Sequence, residues 1–241
     1  MSRLRALFRK LAIITLLVLM AAVIGLRPWE QLPPAWNPWE PLKLDHDMTL
    51  VTGWKLARLN NEPEQCLAVL AADEREELDF LALEDYTPVA GCPLTNVVRV
   101  QATGVRFNAP FTVTCPLAVV WTMFERQQLQ PLAEELLGTQ VIMVDHFGSF
   151  ACRNIYHREN ARLSQHATAS AFDVAGFRLA DGRTVSVLTH WDSADHPDKA
   201  AFLRRLHEGA CGYFGTVLGP DYNQPHENHF HFDTSSFGIC R

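Results

Sequence analysis

Residues 164–183, SQHATASAFDVAGFRLADGR, contain the pattern that decides the fold of this chain. The run Ala171–Leu179 is typical of a strand, and the sequence ADGR at 180–183 predicts a tight turn directly after it. Residues 184–191, TVSVLTHW, again have strand character. The two runs therefore predict a β-hairpin in the second half of the chain.

The segments on either side predict the remaining elements. Helices are predicted over 64–72, from the N-cap Thr114 to a stop at Gly138, and from Ser193 or Asp195 to Ala210. Strands are predicted over 140–147, 149–157 and 229–233. This order, helices first and then a sheet interrupted by one helix, predicts an α+β fold with a central antiparallel sheet and flanking helices.

The N-terminal region predicts export from the cytoplasm. Residues 11–26, LAIITLLVLMAAVIGL, carry no charge and follow a basic segment. They predict either an uncleaved membrane anchor or a cleaved signal peptide; a buried core helix is the third alternative. The anchor is favoured because no convincing cleavage site follows, whereas interfacial tryptophans do. The predicted parts are a signal-anchor segment (1–27), a Pro/Trp-rich linker (28–45) and one domain (46–241).

The basic flank also predicts the orientation. It places the N-terminus in the cytoplasm, and hence a single-pass protein of the inner (cytoplasmic) membrane with a periplasmic C-terminal domain. The chain has 27 acidic and 21 basic residues and hence a net charge of −6, which argues against nucleic acid as a partner. Six cysteines in an exported domain allow up to three disulfides, whose pairing stays open among fifteen possibilities: Cys66, Cys92, Cys115, Cys152, Cys211 and Cys240.

The histidines predict a metal site. Three of the ten lie in HENHFH at 226–231, and strand alternation places His229 and His231 on one face, which Glu227 and Asp233 share if the strand is regular. His166 precedes Asp173 by seven residues, and this aspartate interrupts an otherwise apolar strand, where an uncompensated carboxylate is costly. One aspartate and two histidines form a zinc site with an open fourth position.

Two motifs carry a resemblance to known families. Ser164-x-His166-x-x-Ala169-x-Ala171-x-Asp173 resembles the S-x-H-x-x-G-x-A-x-D motif of the D-Ala-D-Ala carboxypeptidase and murein endopeptidase superfamily, with alanine in place of the usual glycine. His226-x-x-His229-x-His231 is similar to the ending of the penicillin-insensitive murein endopeptidase branch. Over about residues 50–240 the chain resembles the bacterial extensin-like C-terminal domain family through four segments: 152–154, 162–183, 201–211 and 217–233.

The resemblance implies the fold and the roles of site residues. The fold would be that of the zinc D-Ala-D-Ala peptidases, which is hedgehog-like, and the zinc ligands would be His166, Asp173 and His231. His229 would act beside the metal as a base or transition-state stabiliser, and His226 would line the site. Many relatives use a glutamate where this chain has Asn228, so that base does not transfer, and Glu227 is a weaker candidate.

Arg153 is the remaining candidate catalytic residue. Its guanidinium would polarise the scissile carbonyl or hold a peptide carboxylate. The alternative is a structural ion pair with Asp145 or Asp192. His190 and Trp191, at the end of the strand predicted over 184–191, could also face the site.

These expectations combine into a predicted function. The chain is predicted to be a membrane-anchored, outward-facing zinc peptidase of the endopeptidase or carboxypeptidase type. Its partners would be peptidoglycan stem peptides or cross-links, and the membrane through the N-terminal helix. The alternative is a non-catalytic envelope module that binds zinc or cell-wall peptide through the same motif. A third possibility is hydrolysis of an amide or peptide outside the wall.

Overall fold

The apolar N-terminal run forms one helix, α1 (Ser2–Leu26), in a computed structural model that describes residues 2–241. Within the segment Leu7–Gln31 an 18-residue window reaches a mean hydropathy of 2.3, and none of that window is buried against the rest of the chain. By length and composition it can cross a membrane, and a signal sequence would meet the same criteria.

The proline-rich linker predicted over 28–45 is not extended throughout. Ala35 is buried, and its carbonyl oxygen accepts hydrogen bonds from the hydroxyls of Thr49 and Thr52. Leu42 and Leu44 belong to the hydrophobic core. Prolines start both short 3-10 turns of this segment, Pro28–Gln31 and Pro34–Trp36. The second half of the linker is therefore packed against the domain.

Within the described part of the chain, six further α-helices follow α1: α2 (Leu50–Arg58), α3 (Pro63–Ala71), α4 (Cys115–Phe124), α5 (Gln130–Leu137), α6 (Val187–His190) and α7 (Pro197–Ala210). A π-helical turn, Glu125–Leu129, joins α4 to α5. Gly138 adopts a left-handed conformation (φ 70°) after α5, which confirms the predicted helix end. The helix predictions around α3 and α7 are also confirmed.

Eleven strands are present in the described residues: β1 (Asp79–Ala82), β2 (Tyr86–Val89), β3 (Cys92–Leu94), β4 (Val97–Ala102), β5 (Arg106–Thr114), β6 (Val141–Gly148), β7 (Ala171–Leu179), β8 (Thr184–Ser186), β9 (Thr216–Leu218), β10 (Phe230–Asp233) and β11 (Ile239–Cys240). Nine form one sheet in the order β1-β4-β5-β6-β7-β10-β9-β11, with β8 paired to β7. β2 and β3 form a separate hairpin.

The prediction of a wholly antiparallel sheet that follows the helices is wrong in two respects. β5 pairs with β6 in parallel, as β9 does with β11, so the sheet is mixed. Five strands, β1 to β5, precede α4, so the sheet does not simply follow the helices. Of these, β4 and β5 pair with each other as an antiparallel hairpin. The coarser prediction, an α+β fold with a large sheet and flanking helices, is confirmed.

Two predicted strands are also corrected. Residues 149–157 contain no strand; Gly148 has φ 110° and ends β6, and a 3-10 turn follows at Ile155–His157. In the run predicted over 184–191 only β8 is extended. The ring Nδ1 of His190 accepts a hydrogen bond from the amide of Ser186, which closes the helical turn α6.

Strand alternation separates the core from the opposite sheet face. Phe172 of β7 and Phe232 of β10 are fully buried, and Phe232 lies 5.6 Å from Phe124 of α4 between ring centroids. Because neighbouring residues of a strand point to opposite faces, Asp173 and His231 lie on the face away from the helices. They are directly paired across β7 and β10.

Three disulfides connect distant parts of the fold, as the prediction of up to three allowed. The pairs are Cys66–Cys115 (α3 to α4), Cys92–Cys152 (β3 to the loop after β6) and Cys211–Cys240 (the end of α7 to β11). Disulfides form and persist in oxidising compartments. They indicate, with the apolar N-terminal helix, an extracytoplasmic domain.

Candidate metal centre

Asp173 and His231 form the base of the site. Their cross-strand register places the Nδ1 atom of His231 2.9 Å from Oδ1 of Asp173. His231 is 8% exposed, so this contact is largely shielded from water. The sheet therefore positions one carboxylate and one imidazole as close neighbours.

His166 enters from a 3-10 turn (Gln165–Thr168) that precedes β7. The hydroxyl of Ser164 caps this turn by accepting a hydrogen bond from the amide of His166. The Nε2 atom of His166 lies 3.2 Å from Oδ2 of Asp173 and 3.1 Å from Nδ1 of His231. All three side chains predicted as zinc ligands thus meet at one point.

Ala169 explains the glycine of the motif that this segment resembles. It ends the turn in the left-handed region (φ 54°) and is completely buried. Glycine adopts that backbone conformation without steric cost, whereas alanine pays about 1–2 kcal/mol. In this chain Ala169 adopts the left-handed conformation itself, and the turn that directs His166 towards Asp173 forms with alanine at this position.

The donor atoms lie close together, with separations slightly shorter than those between the ligands of a zinc ion. Tetrahedral zinc with ligands at about 2.0–2.1 Å places those ligands about 3.3–3.4 Å from one another. The three separations among His166, Asp173 and His231 are 2.9, 3.1 and 3.2 Å. Ligand spacing and donor chemistry therefore both fit a zinc ion.

The outer ring nitrogens of both histidines have acceptors. Nδ1 of His166 donates to the carbonyl oxygen of Ser149 at 3.1 Å, and Nε2 of His231 donates to Oδ2 of Asp233 at 3.3 Å. The other two nitrogens, Nε2 of His166 and Nδ1 of His231, both face the Asp173 carboxylate, and in a metal complex they would carry the ligating lone pairs. Metal-binding histidines are held by such second-sphere acceptors.

The electrostatics of the cluster favour a cation. Burial alone raises the pKa of Asp173, but hydrogen bonds from His166 and His231 outweigh it and hold that pKa below its usual range. Burial lowers the pKa of His231, but the carboxylates of Asp173 and Asp233 raise it to about 9. The two carboxylates thus favour a positive charge at His231, and a bound divalent ion would supply that charge in place of the proton.

His229 lies at the open side of the cluster, directly before β10. Its Nε2 is 3.6 Å from Oδ1 of Asp173, and its Nδ1 donates to Oδ1 of Asn228 at 2.8 Å. This hydrogen bond leaves the Nε2 lone pair directed towards the site. Burial lowers the pKa of His229, so the ring is neutral at neutral pH and can accept a proton.

His226 lies next to His229 and His231, at the wall of the site. Its ring lies 5.2 Å from that of His229 and 5.9 Å from that of His231, measured between centroids. Burial lowers the pKa of His226 to about 4, and its Nδ1 hydrogen-bonds Oδ1 of Asn223 at 2.6 Å. It therefore adds a neutral, oriented imidazole to the wall of the site. Glu227 is exposed.

Arg153 does not form the ion pairs considered as its alternative role. Asp145 pairs with Arg178 at 2.7 Å, and Asp192 pairs with Arg204. Among the described residues no acidic side chain lies within ion-pair distance of Arg153. After burial, which has the largest effect, the positive charge of Arg153 is one of the smaller influences that lower the pKa of His229.

Some residues lie differently from the sequence-based expectation. Trp191 donates to Asp221 and packs on Phe230 at 5.5 Å, on the core side of the sheet, so the suggestion that it faces the site is wrong. Conversely, sequence reasoning missed Phe147, whose exposed ring lies 5.7 Å from that of His229, and the carbonyl of Ser149. A main-chain acceptor has no signal in a sequence.

Comparison with known proteins places the chain in a family. No curated protein and no solved structure matches it. The family model described as extensin-like protein C-terminus matches residues 64–241, which is well over half of the chain and contains every residue of the candidate metal centre. The chain therefore belongs to the extensin-like protein C-terminus family.

Proposed function

We propose that this chain is a zinc-dependent hydrolase that cleaves peptide bonds of peptidoglycan. The observation that carries the proposal is the convergence of three donor atoms, from His166, Asp173 and His231, at zinc-compatible distances on one sheet face. The second-sphere acceptors support it, because they hold each imidazole with its ligating nitrogen directed inwards.

The three ligands would hold the ion and leave its fourth position open. When bound, zinc supplies Lewis-acid polarisation of a carbonyl and lowers the pKa of water towards about 7. Asp173 has the central role among the ligands, because its two oxygens contact both histidines. Its loss would remove a ligand and the partner that orients the other two.

His229 would accept the proton of the attacking water at Nε2 and return it to the leaving amine. Asn228 fixes the required tautomer, and burial keeps the ring neutral at neutral pH. Arg153, which has no ion-pair partner among the described residues, would bind the oxyanion or a peptide carboxylate. His226 would restrict water access and orient the substrate from the adjacent wall.

Peptidoglycan is the substrate class that three features support. The motif around His166 and the H-x-x-H-x-H ending resemble those of murein peptidases. On the strength of these motifs we also propose that the domain has the fold of the zinc peptidases. Disulfides and the apolar N-terminal helix support an extracytoplasmic position. With the basic flank inside, α1 would anchor the domain at the periplasmic side of the inner membrane.

The test is digestion of purified muropeptides by the full chain in detergent, with and without chelator, read by mass spectrometry. The wild type is expected to release new peptide termini only without chelator. His229→Ala should keep its zinc, but its rate of hydrolysis should fall about 10²–10⁴-fold. Asp173→Ala should lose both zinc and activity, whereas His196→Ala, an exposed histidine outside the site, is the matched control.

Two results would refute the proposal. Undiminished zinc content and hydrolysis in Asp173→Ala would show that the site is elsewhere. Tight binding of muropeptides with no cleavage at any zinc concentration would instead establish the non-catalytic envelope module.

A further inference from the structure

A cavity lies apart from the histidines. It has a volume of about 620 Å³, opens to the surface, and lies between the linker residues 38–43, α2 and α3. Small-molecule sites are typically about 300–1,000 Å³. None of its lining residues belongs to the candidate metal centre, so the cavity needs an explanation of its own.

Lys55 is the unusual group in this cavity. It lies on the inward face of α2, is 7% exposed, and lines the cavity. Its Nζ has no hydrogen-bond partner among the residues that the structure describes. A buried, unpaired ammonium is costly, and burial accordingly lowers the pKa of Lys55. The group thus lacks the anion that such a position requires.

The other charges of the cavity do not supply that anion. Lys43 pairs with Glu74 at 3.0 Å, and Arg58 pairs with Glu62 at 2.6 Å, so both are already compensated. Glu40 also lines the cavity and attracts Lys55, but it is not within ion-pair distance. Lys55 is therefore the one cation of the lining without an ion-pair partner among the described residues.

The rest of the lining is apolar and aromatic. Leu42, Leu59 and Val69 are buried members of the core that also line the cavity. Trp39 and Trp54 stand at its exposed side, with 66% and 48% of their surface accessible. A cation beside a wall of this kind matches a molecule with an anionic head and a hydrocarbon tail.

The outer face of α2 has the composition of an interfacial helix. Leu50, Trp54 and Arg58 recur every four residues and are exposed, Leu50 by 86%. The Arg58 guanidinium lies 4.9 Å above the Trp54 ring. Apolar and aromatic residues combined with basic ones on an exposed face are typical of helices that lie at a bilayer surface.

The position of the cavity along the chain agrees with this. Trp39 contacts Trp29 at 4.8 Å between ring centroids, directly after the apolar helix α1. The 13 residues from Leu26 to Trp39 span at most about 45 Å when extended, and the two 3-10 turns shorten that distance. The mouth of the cavity is therefore within reach of any membrane that α1 enters.

We propose that this cavity binds an anionic phospholipid of the membrane, with the buried Lys55 ammonium turning to meet the phosphate and part of an acyl chain lying along the apolar wall. The proposal is independent of the hydrolase activity, because it uses different residues and a different face. It accounts for the unpaired ammonium, the aromatic rim and the exposed face of α2 together.

The experiment is calorimetric titration of the full chain, held in an uncharged detergent, with short-chain phosphatidylglycerol, short-chain phosphatidylcholine or inorganic phosphate. Wild type is expected to bind phosphatidylglycerol at least tenfold more tightly than the other two. Lys55→Met should abolish this preference. Lys199→Met, the same charge change on α7, should leave it intact.

A second measurement guards against misfolding of the variant. Without lipid, Lys55→Met should melt at a higher temperature than wild type, because it removes an unpaired buried charge; with phosphatidylglycerol only wild type should gain stability. Equal affinities of wild type and Lys55→Met for phosphatidylglycerol would overturn the proposal. So would inorganic phosphate binding as tightly as the lipid, because the apolar wall would then have no role.

Discussion

Glu125 offers a quantitative test of the folded structure. It is the first residue of the π-helical turn, is 1% exposed, and accepts a hydrogen bond from the hydroxyl of Thr103. Burial, only partly opposed by this hydrogen bond and by Arg126, raises the pKa of Glu125 to about 7. We expect Glu125→Gln to be more stable relative to wild type at pH 8 than it is at pH 4.

The sign and size follow from proton linkage. The pKa of Glu125 rises from 4.5 to about 7 on folding, so between these values the folded state binds more protons than the unfolded state. The free energy of unfolding therefore falls as pH rises through this window. A shift of about 2.5 units corresponds to about 3 kcal/mol at 1.36 kcal/mol per unit. Glutamine does not ionise and avoids this loss.

The assay is urea denaturation of the full chain with its disulfides intact, at pH 4 and pH 8. The difference in unfolding free energy between Glu125→Gln and wild type should become more favourable to the variant by about 3 kcal/mol at the higher pH. Glu64→Gln, an exposed position on α3, is the control and should show no such change. A pH-independent difference between Glu125→Gln and wild type would refute the reasoning.

Three further predictions concern the site and its frame. Asp233→Asn should weaken zinc binding about 10–100-fold, measured by competition with a chromophoric chelator, because His231 loses its charged acceptor; unchanged affinity would contradict this role. Replacing Cys66 and Cys115 together with alanine should lower the unfolding free energy by about 4 kcal/mol, as expected for opening a 49-residue loop, and a loss below about 1 kcal/mol would count against it. Thermal denaturation should show that Ala169→Val costs at least about 2 kcal/mol, because a branched side chain is strained at a buried left-handed position, whereas Ala169→Gly stays within about 1 kcal/mol of wild type; equal effects of the two would show that the backbone there is relaxed.

Local patterns predicted much of the fold because each depends on neighbouring residues. The hairpin of β7 and β8 follows from the turn at 180–183, and the end of α5 follows from Gly138. The same patterns failed at residues 149–157. Their hydrophobic residues are strand-like, but no neighbouring strand is free to pair with them, because β6 and β7 each have partners on both sides. The disulfide from Cys152 to Cys92 also ties this segment to β3.

The candidate site divides in the same way. Alternation in β10 placed His229 and His231 on one side, and the aspartate in an apolar strand singled out Asp173, so their selection needed no tertiary information. The distances between these side chains, in contrast, depend on the tertiary structure. The direct pairing of His231 with Asp173 depends on the β7–β10 register, which joins segments 58 residues apart.

By itself the sequence determined the local elements, the apolar N-terminal helix and the identity of the residues that meet in the histidine cluster, because turn chemistry, side-chain alternation and hydropathy act over a few residues. Only the tertiary structure decided the parallel pairing of β5 with β6, the three disulfide pairs and the unpaired position of Lys55. Each of these depends on which distant surfaces pack together, and many pairings of the same local patterns satisfy the short-range rules equally well.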